Sequence, residues 1–334
     1  MKIAVDMRMS GKSGIGTFLD ELIPFFNESN HEFYFSKPSV KTFSLKELFC
    51  FPKDELEKIN SCDVYFTPYC NIPGGIKIPI YSTIHDVVFL DVKGLTGKAG
   101  TFIRKFFYAY AVKKSRAIFT VSEFSKERII SNLKCKKNIH VVYNGIPSYY
   151  DNAVPCKNKE NYMIFIGNIK KHKGLSVLLE AFEMLMQSRQ DVKLMIVGSN
   201  ENFRSQDSTI YSKIEKINSH FKDSIVFTGF VENDMLKNLL TKAKLLVQPS
   251  LYEGFGIPPL QALKCGTNAV ISDIQVFREI YGDLPVTFFK NQDSFDLKEK
   301  ILETLDKEFT KDFKETYTYR KTAEAILKVL EGSR

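Results

Sequence analysis

A chain of 334 residues with 44% apolar and 26% charged side chains can build two ordinary domains with full cores, which excludes a disordered or fibrous protein. No apolar run approaches the roughly 18 residues of a spanning helix, and Asp6 and Arg8 interrupt the first apolar segment, so neither a membrane span nor a signal peptide is expected. The six cysteines lack Cys-x-x-Cys spacing, which argues against a zinc site or a disulfide framework and fits a cytoplasmic location.

In chain order, Lys2–Arg8 reads as a strand, Ser13-Gly14-Ile15-Gly16 as a tight turn, and Thr17–Phe26 as a helix with Phe18, Leu22 and Phe25 on one face. Further strands are expected at His31–Phe35, Val64–Thr67, Ile78–Ile84, Ala117–Val121 and His140–Tyr143. The net charge of +8 comes mostly from residues 1–152. Within that half, Lys98–Arg116 reads as a helix whose Phe102, Phe106, Tyr110 and Lys113 follow one face. The expected reading is a core-facing stripe with a solvated basic side. The alternative is an interfacial helix on anionic lipid, with Arg104, Lys105, Lys113 and Lys114 as its cations. No recognition motif accompanies the charge, so nucleic acid is not an expected partner.

Polar Ser148–Asn161, with Pro155, reads as a linker. After it come strands at Tyr162–Ile166, Lys193–Val197, Ile225–Thr228, Leu245–Gln248 and Ala269–Ser272, a helix at Gly174–Met186, and a last helix near Tyr317–Leu330. Short β-rich runs alternating with helices predict an α/β fold of two Rossmann-like domains on parallel sheets. Their expected bounds are 1–150 and 160–315, with 316–334 as a terminal helix.

The most informative stretch is Ser250-Leu-Tyr-Glu-Gly-Phe-Gly-Ile-Pro-Pro-Leu-Gln261. Glu253 precedes a turn in which Gly254 and Gly256 let backbone amides approach a ligand, and Pro258 suits a first helical turn. A turn of this kind is suited to a phosphorylated sugar, with Glu253 facing its hydroxyls. Earlier, Gly167-Asn168-Ile-Lys-Lys-His-Lys173-Gly174 follows a strand and opens a helix, where cations and free amides neutralise a diphosphate. His85-Asp86 closes a strand at the end where ligands of open α/β sheets collect. Read alone, it is equally a capped loop histidine. Ser13–Thr17 lacks the third glycine of a dinucleotide fingerprint, since Leu19 stands there.

These motifs, in this order, resemble the retaining glycosyltransferases of family four, and the resemblance covers nearly the whole chain. Within that family the Gly-Asn and His-Lys pairs are similar to those of a branch that builds bacterial polysaccharides, including mannosyl and rhamnosyl transferases. The resemblance implies the GT-B fold, two Rossmann-like domains facing a cleft, with the terminal helix packing back on the first. It implies His85, Lys173 and Glu253 as the residues of the chemistry. On the donor it implies Gly14, Gly16, Asn168, Ser199, Thr228, Gly254, Phe255, Gly256, Ile257 and Gln261, and on the acceptor side Asp86 and Glu123.

Two positions depart from the family pattern. Asn168 stands where arginine is more frequent, which removes a fixed charge. Gln261 stands where a second glutamate binds the ribose hydroxyls, and an amide can still accept from one hydroxyl and donate to the other. The implied partners are a nucleoside-diphosphate sugar, with GDP-mannose or a related deoxyhexose donor favoured, and a glycan or lipid-linked oligosaccharide acceptor. No Asp-x-Asp segment is present, so neither metal nor other cofactor is expected. The implied location is cytoplasmic, with peripheral contact at the inner face of the membrane. Competing readings are a degenerate scaffold of the same fold, motivated by Asn168 and Gln261, and a nucleotide-sugar epimerase.

Overall fold

The computed structural model describes residues 1–42, 44–198, 208–309 and 314–332. The chain divides into two compact units, residues 1–147 with 316–334, and residues 148–315. Each is built on a parallel sheet of six strands among the described residues.

In the first unit the strands are β1 (Lys2–Asp6), β2 (Glu32–Ser36), β3 (Val64–Thr67), β4 (Ile80–Thr83), β5 (Ala117–Thr120) and β6 (Ile139–Val141), in the order β2-β1-β3-β4-β5-β6. Register is direct, with Ile3 opposite both Phe33 and Val64. Every residue of β3, β4 and β5 is buried, the signature of a parallel sheet covered on both faces. The helix Tyr319–Glu331 belongs to this unit. It sets Tyr319, Ala323, Ile326 and Leu330 against Phe18, Leu22 and Phe26 of the helix Ser13–Asn27 in one core.

Three sequence expectations for this unit need correction. The first strand ends at Asp6, because Asp6 turns its carboxylate onto the amide and guanidinium of Arg8. Gly14 and Gly16 do not form a turn. They lie inside the first turn of the helix Ser13–Asn27, and a Cβ on Gly16 would sit 2.4 Å from Met9 O, so that helix starts against its own entry loop. The helix Lys98–Lys114 buries Phe107, Tyr108 and Ala111, whereas Phe102, Ile103 and Phe106 are 72%, 53% and 51% exposed. Of the stripe expected to face the core, Phe102 and Phe106 therefore face away from it, while Tyr110 is half-buried and packs against it. The Arg104 guanidinium lies 3.6 Å from the centroid of the Phe89 ring, a contact in which it keeps its charge.

In the second unit the strands are β7 (Glu160–Ile166), β8 (Lys193–Val197), β9 (Ile225–Gly229), β10 (Ala243–Gln248), β11 (Asn268–Ser272) and β12 (Thr287–Phe289), in the order β12-β11-β10-β7-β8-β9. The helix Leu175–Leu185 buries Leu175, Leu178, Leu179, Phe182 and Leu185, a 3.6-residue stripe that contributes about 1.5–3 kcal/mol per large side chain. The chain runs outward from β7 to β8 and β9, then returns to place β10 on the other side of β7. That reversal is a topological switch point, beside which a crevice forms at the carboxyl ends of the strands. The segments leaving β7 and β10 there are those of Lys173 and Glu253.

Candidate functional site

β7 ends at Ile166 and leads through Gly167 and Asn168 to a short 3-10 turn at Lys171–Lys173. Gly174 then reverses the backbone at φ +70°, and a Cβ there would meet Pro249 O at 1.8 Å. Only glycine fits that approach of the two loops. Main-chain bonds complete the clamp, since His172 O accepts from the amides of Leu251 at 2.8 Å and Tyr252 at 3.4 Å.

Lys173 is thereby set against Glu253. Lys173 Nζ donates to both carboxylate oxygens, at 2.7 and 2.8 Å, and Ser250 Oγ donates to Glu253 Oε1 at 2.7 Å. Behind them Gln248 Nε2 donates to Ser250 Oγ at 3.0 Å, and Ser272 Oγ donates to Ser250 O. A carboxylate held from two sides in this way is fixed in position and retains acceptor capacity for further hydroxyls.

The turn after Glu253 is shaped by Gly256 at φ +82°, where a Cβ would lie 2.4 Å from Phe277, and Tyr281 OH donates to Gly256 O. Gly254 and Ile257 flank it on the same turn. Phe255 is buried. The helix that follows, Pro258–Lys264, is seven residues long. Gln261, 7% exposed, lies one turn inside it. Asn168 is exposed on the Lys173 loop. Thr228, at the end of β9, engages its hydroxyl with Gly229 O at 3.1 Å and Ile196 O at 3.4 Å. Ser199 lies outside the described residues.

In the first unit His85 follows β4. Its Nε2 is 2.9 Å from Pro68 O; a carbonyl can only accept, so Nε2 carries the proton and Nδ1 the lone pair. Burial pushes the imidazole down to about 4, against the opposing pull of that carbonyl. The ring meets Phe18 edge-on at 4.9 Å between centroids. Asp86 Oδ1 accepts from the amide of Val88 at 3.0 Å and so shapes the loop. Glu123 starts the helix Glu123–Leu133 and pairs with Lys126 at 3.0 Å.

Sequence reasoning assigned no role to Ser250 and Gln248 behind Glu253, nor to the Pro68 carbonyl on His85 in the first unit, and read His172 only as part of the His-Lys pair. Of the two behind Glu253, Ser250 carried a signal, since it stands three residues before Glu253.

Comparison with known proteins follows the same division. A model described as Glycosyltransferase Family 4 matches residues 62–148, and one described as Glycosyl transferases group 1 matches residues 150–324. Among curated relatives, the O-antigen chain mannosyltransferase RfbU of Salmonella typhimurium is 30% identical over 185 residues, covering 54% of this chain and 50% of its own. The O-antigen chain mannosyltransferase B of Escherichia coli is 25% identical over 239 residues, covering 66% and 59%. The chain thus spans about half to three-fifths of the length of these two relatives. Among solved structures, a sucrose-phosphate synthase from Thermosynechococcus elongatus superposes with a TM-score of 0.73 at 14% identity, over 99% of this chain and 98% of that one. Anabaena HepE, solved with UDP and glucose, gives 0.70 at 14% identity over 99% of each. These likenesses show the two-domain GT-B fold. The match from residue 150 to 324 takes in both loops that bring Lys173 to Glu253 and exceeds half of the chain, which therefore belongs to the glycosyl transferases group 1 family.

Proposed function

We propose that the protein transfers a hexosyl group from a nucleoside-diphosphate sugar to a hydroxyl of a glycan or lipid-linked glycan, with retention, in the synthesis of a bacterial surface polysaccharide. The single observation that carries this reading is the Lys173–Glu253 pair at the switch point of the second sheet. An ammonium beside a fixed carboxylate matches the two ends of a sugar diphosphate: cation for phosphate, carboxylate for hydroxyls. Mannose is favoured, because curated relatives of this chain are named as O-antigen mannosyltransferases.

In the step itself the acceptor hydroxyl attacks the anomeric carbon from the face that the diphosphate leaves. The bond from that carbon to the phosphate oxygen breaks, and the departing oxygen takes the hydroxyl proton. Lys173 and the backbone amides of residues 254–257 meet the charge that develops on the leaving group, a role that preorganised donors fill without a metal ion. His85, neutral with its lone pair on Nδ1, accepts a hydrogen bond from a sugar hydroxyl.

The test is a thermal-shift and turnover screen of the purified protein with GDP-mannose, UDP-glucose, dTDP-rhamnose and the free diphosphates, with and without EDTA. Stabilisation and donor turnover that survive EDTA support the reading. Stabilisation without turnover would favour a scaffold of the same fold, and no response to any donor would refute a nucleotide-sugar site.

A second reading, contact with a membrane surface through the helix Lys98–Lys114, is favoured by the exposure of Phe102, Ile103 and Phe106 beside Lys105 and Lys113. Among the described residues no helix is long and apolar enough to cross a membrane. Apolar side chains flanked by lysines fit the interface of an anionic bilayer, where a lipid-linked acceptor would reside. Sedimentation with anionic vesicles at low salt tests it.

A further inference from the structure

Of the four residues Lys170–Lys173, His172 alone is buried, at 8% exposed. Its Nδ1 is enclosed with no hydrogen-bond partner, a costly condition for a buried ring nitrogen and one that calls for an explanation. The backbone beneath the ring is anchored, because the His172 carbonyl holds the amides of Leu251 and Tyr252. The charged groups that act on it are Lys170 and Lys173 from its own turn and Glu253 from the facing loop. Burial first, and then the Lys173 ammonium, keep the imidazole neutral and push it down to about 4, while Glu253 pulls the other way.

A nucleoside-diphosphate sugar brings two negative charges and no proton that titrates near neutrality. Lys173, the cation closest to the facing loop, is already shared with both oxygens of Glu253. The loop therefore meets a dianion with part of its positive charge already neutralised, and next to Lys173 in the chain stands a buried imidazole that carries none. We propose that His172 is a donor-binding residue that is neutral in the empty site and takes up a proton from solvent as the sugar diphosphate binds. The arriving anion reverses the local field that kept the proton off, and the resulting imidazolium adds a positive charge beside Lys173. The inference rests on the proposed nucleotide-sugar reading and deepens it, since donor affinity becomes linked to pH.

The test is calorimetric titration of the protein with GDP-mannose and with UDP-glucose at about pH 7, in PIPES and in Tris, whose ionisation heats differ, so that the heat difference counts protons. The expected result is an uptake of about half to one proton per donor bound, with affinity weakening by up to about ten-fold per pH unit as pH rises through the imidazole value of the complex. His172→Gln should still bind, more weakly, with no uptake and a flat pH profile. Donor bound by wild type without uptake overturns the inference alone, and no binding of either donor overturns the reading beneath it as well. Uptake that persists in His172→Gln assigns the proton elsewhere and also overturns the inference. If His172→Gln does not fold by circular dichroism, ring-15N spectra of wild-type histidines decide. One imidazole turning cationic on donor addition, and still present in His85→Asn, supports the proposal; none turning cationic overturns it.

Discussion

Lys173 Nζ lies 2.7 and 2.8 Å from the two carboxylate oxygens of Glu253, so the residues proposed for opposite ends of the donor are each other's partners. Binding must exchange this ion pair for contacts with ligand, and the two side chains act as a coupled unit.

We predict that Lys173→Met weakens donor affinity by roughly ten- to a hundred-fold, the value of one charge-assisted hydrogen bond of about 1.5–3 kcal/mol. Glu253→Gln keeps the shape, removes the charge and releases Lys173, so donor affinity should change less than turnover. In a double-mutant cycle the two effects should fail to add by at least about 0.5 kcal/mol. Strict additivity of the two substitutions in donor-affinity measurements would show that the pair is incidental.

Much of the fold was legible because its strands are buried on both faces. Val64–Thr67 and Lys193–Val197 stand where their apolar runs place them. The glycine motif misled because Gly14 and Gly16 are poor helix formers placed inside a helix, where Gly16 is required by contact with Met9 O. Lys98–Lys114 is apolar on more than one side, so periodicity alone could not say that Phe107, Tyr108 and Ala111 would win the core. At the site, Lys173 and Glu253 were readable from local motifs. His172 and the Pro68 carbonyl were not, because their roles arise where segments distant in sequence meet, and no local pattern encodes that meeting.

Gly174→Ala should destabilise the second unit by about 2 kcal/mol or more, since a Cβ would meet Pro249 O at 1.8 Å in a left-handed backbone. Ser176→Ala, two residues on and at an exposed position, should cost less than about 0.5 kcal/mol. Urea midpoints compare the two, and equal costs would contradict the clamp between the loops.

Stability should fall as the solution is acidified from about pH 6.5 toward about pH 4, because His85 and His172 are held down to about 4 in the folded protein and titrate near 6.5 when unfolded. In that window the unfolded chain binds more protons, so each histidine contributes a slope of up to about 1.4 kcal/mol per pH unit. Above about pH 6.5 both are neutral in both states and this contribution is complete. His85→Asn should flatten the profile of urea midpoints, and an unchanged slope would mean that the folded ring titrates normally.

Phe102→Ser and Phe106→Ser should each lower partition onto anionic vesicles by roughly ten-fold with little change in melting temperature, because both side chains are exposed. Phe107→Ala, at a buried position one residue on, should instead cost about 3–5 kcal/mol of stability. Vesicle binding indifferent to Phe102 and Phe106 would remove this helix from the membrane reading.

The carboxyl end of β1 holds a buried charge cluster that supports the first unit as the clamped loops support the second. Arg8, 3% exposed, reaches Asp6 Oδ1 from Nε at 2.8 Å, Asp6 Oδ2 at 2.6 Å and Glu47 Oε1 at 2.5 Å. Tyr65 OH adds a bond to Asp6 at 3.0 Å, and Asn71 Nδ2 one to Glu47 at 2.9 Å. We predict that Arg8→Met destabilises the protein by about 3–5 kcal/mol, because it strands two carboxylates away from water, and that replacing all three charges by apolar residues of similar volume costs far less. A triple apolar replacement as costly as Arg8→Met, measured by urea unfolding of wild type and variants side by side, would show that packing of the arginine stem, and not its charge, holds the cluster together.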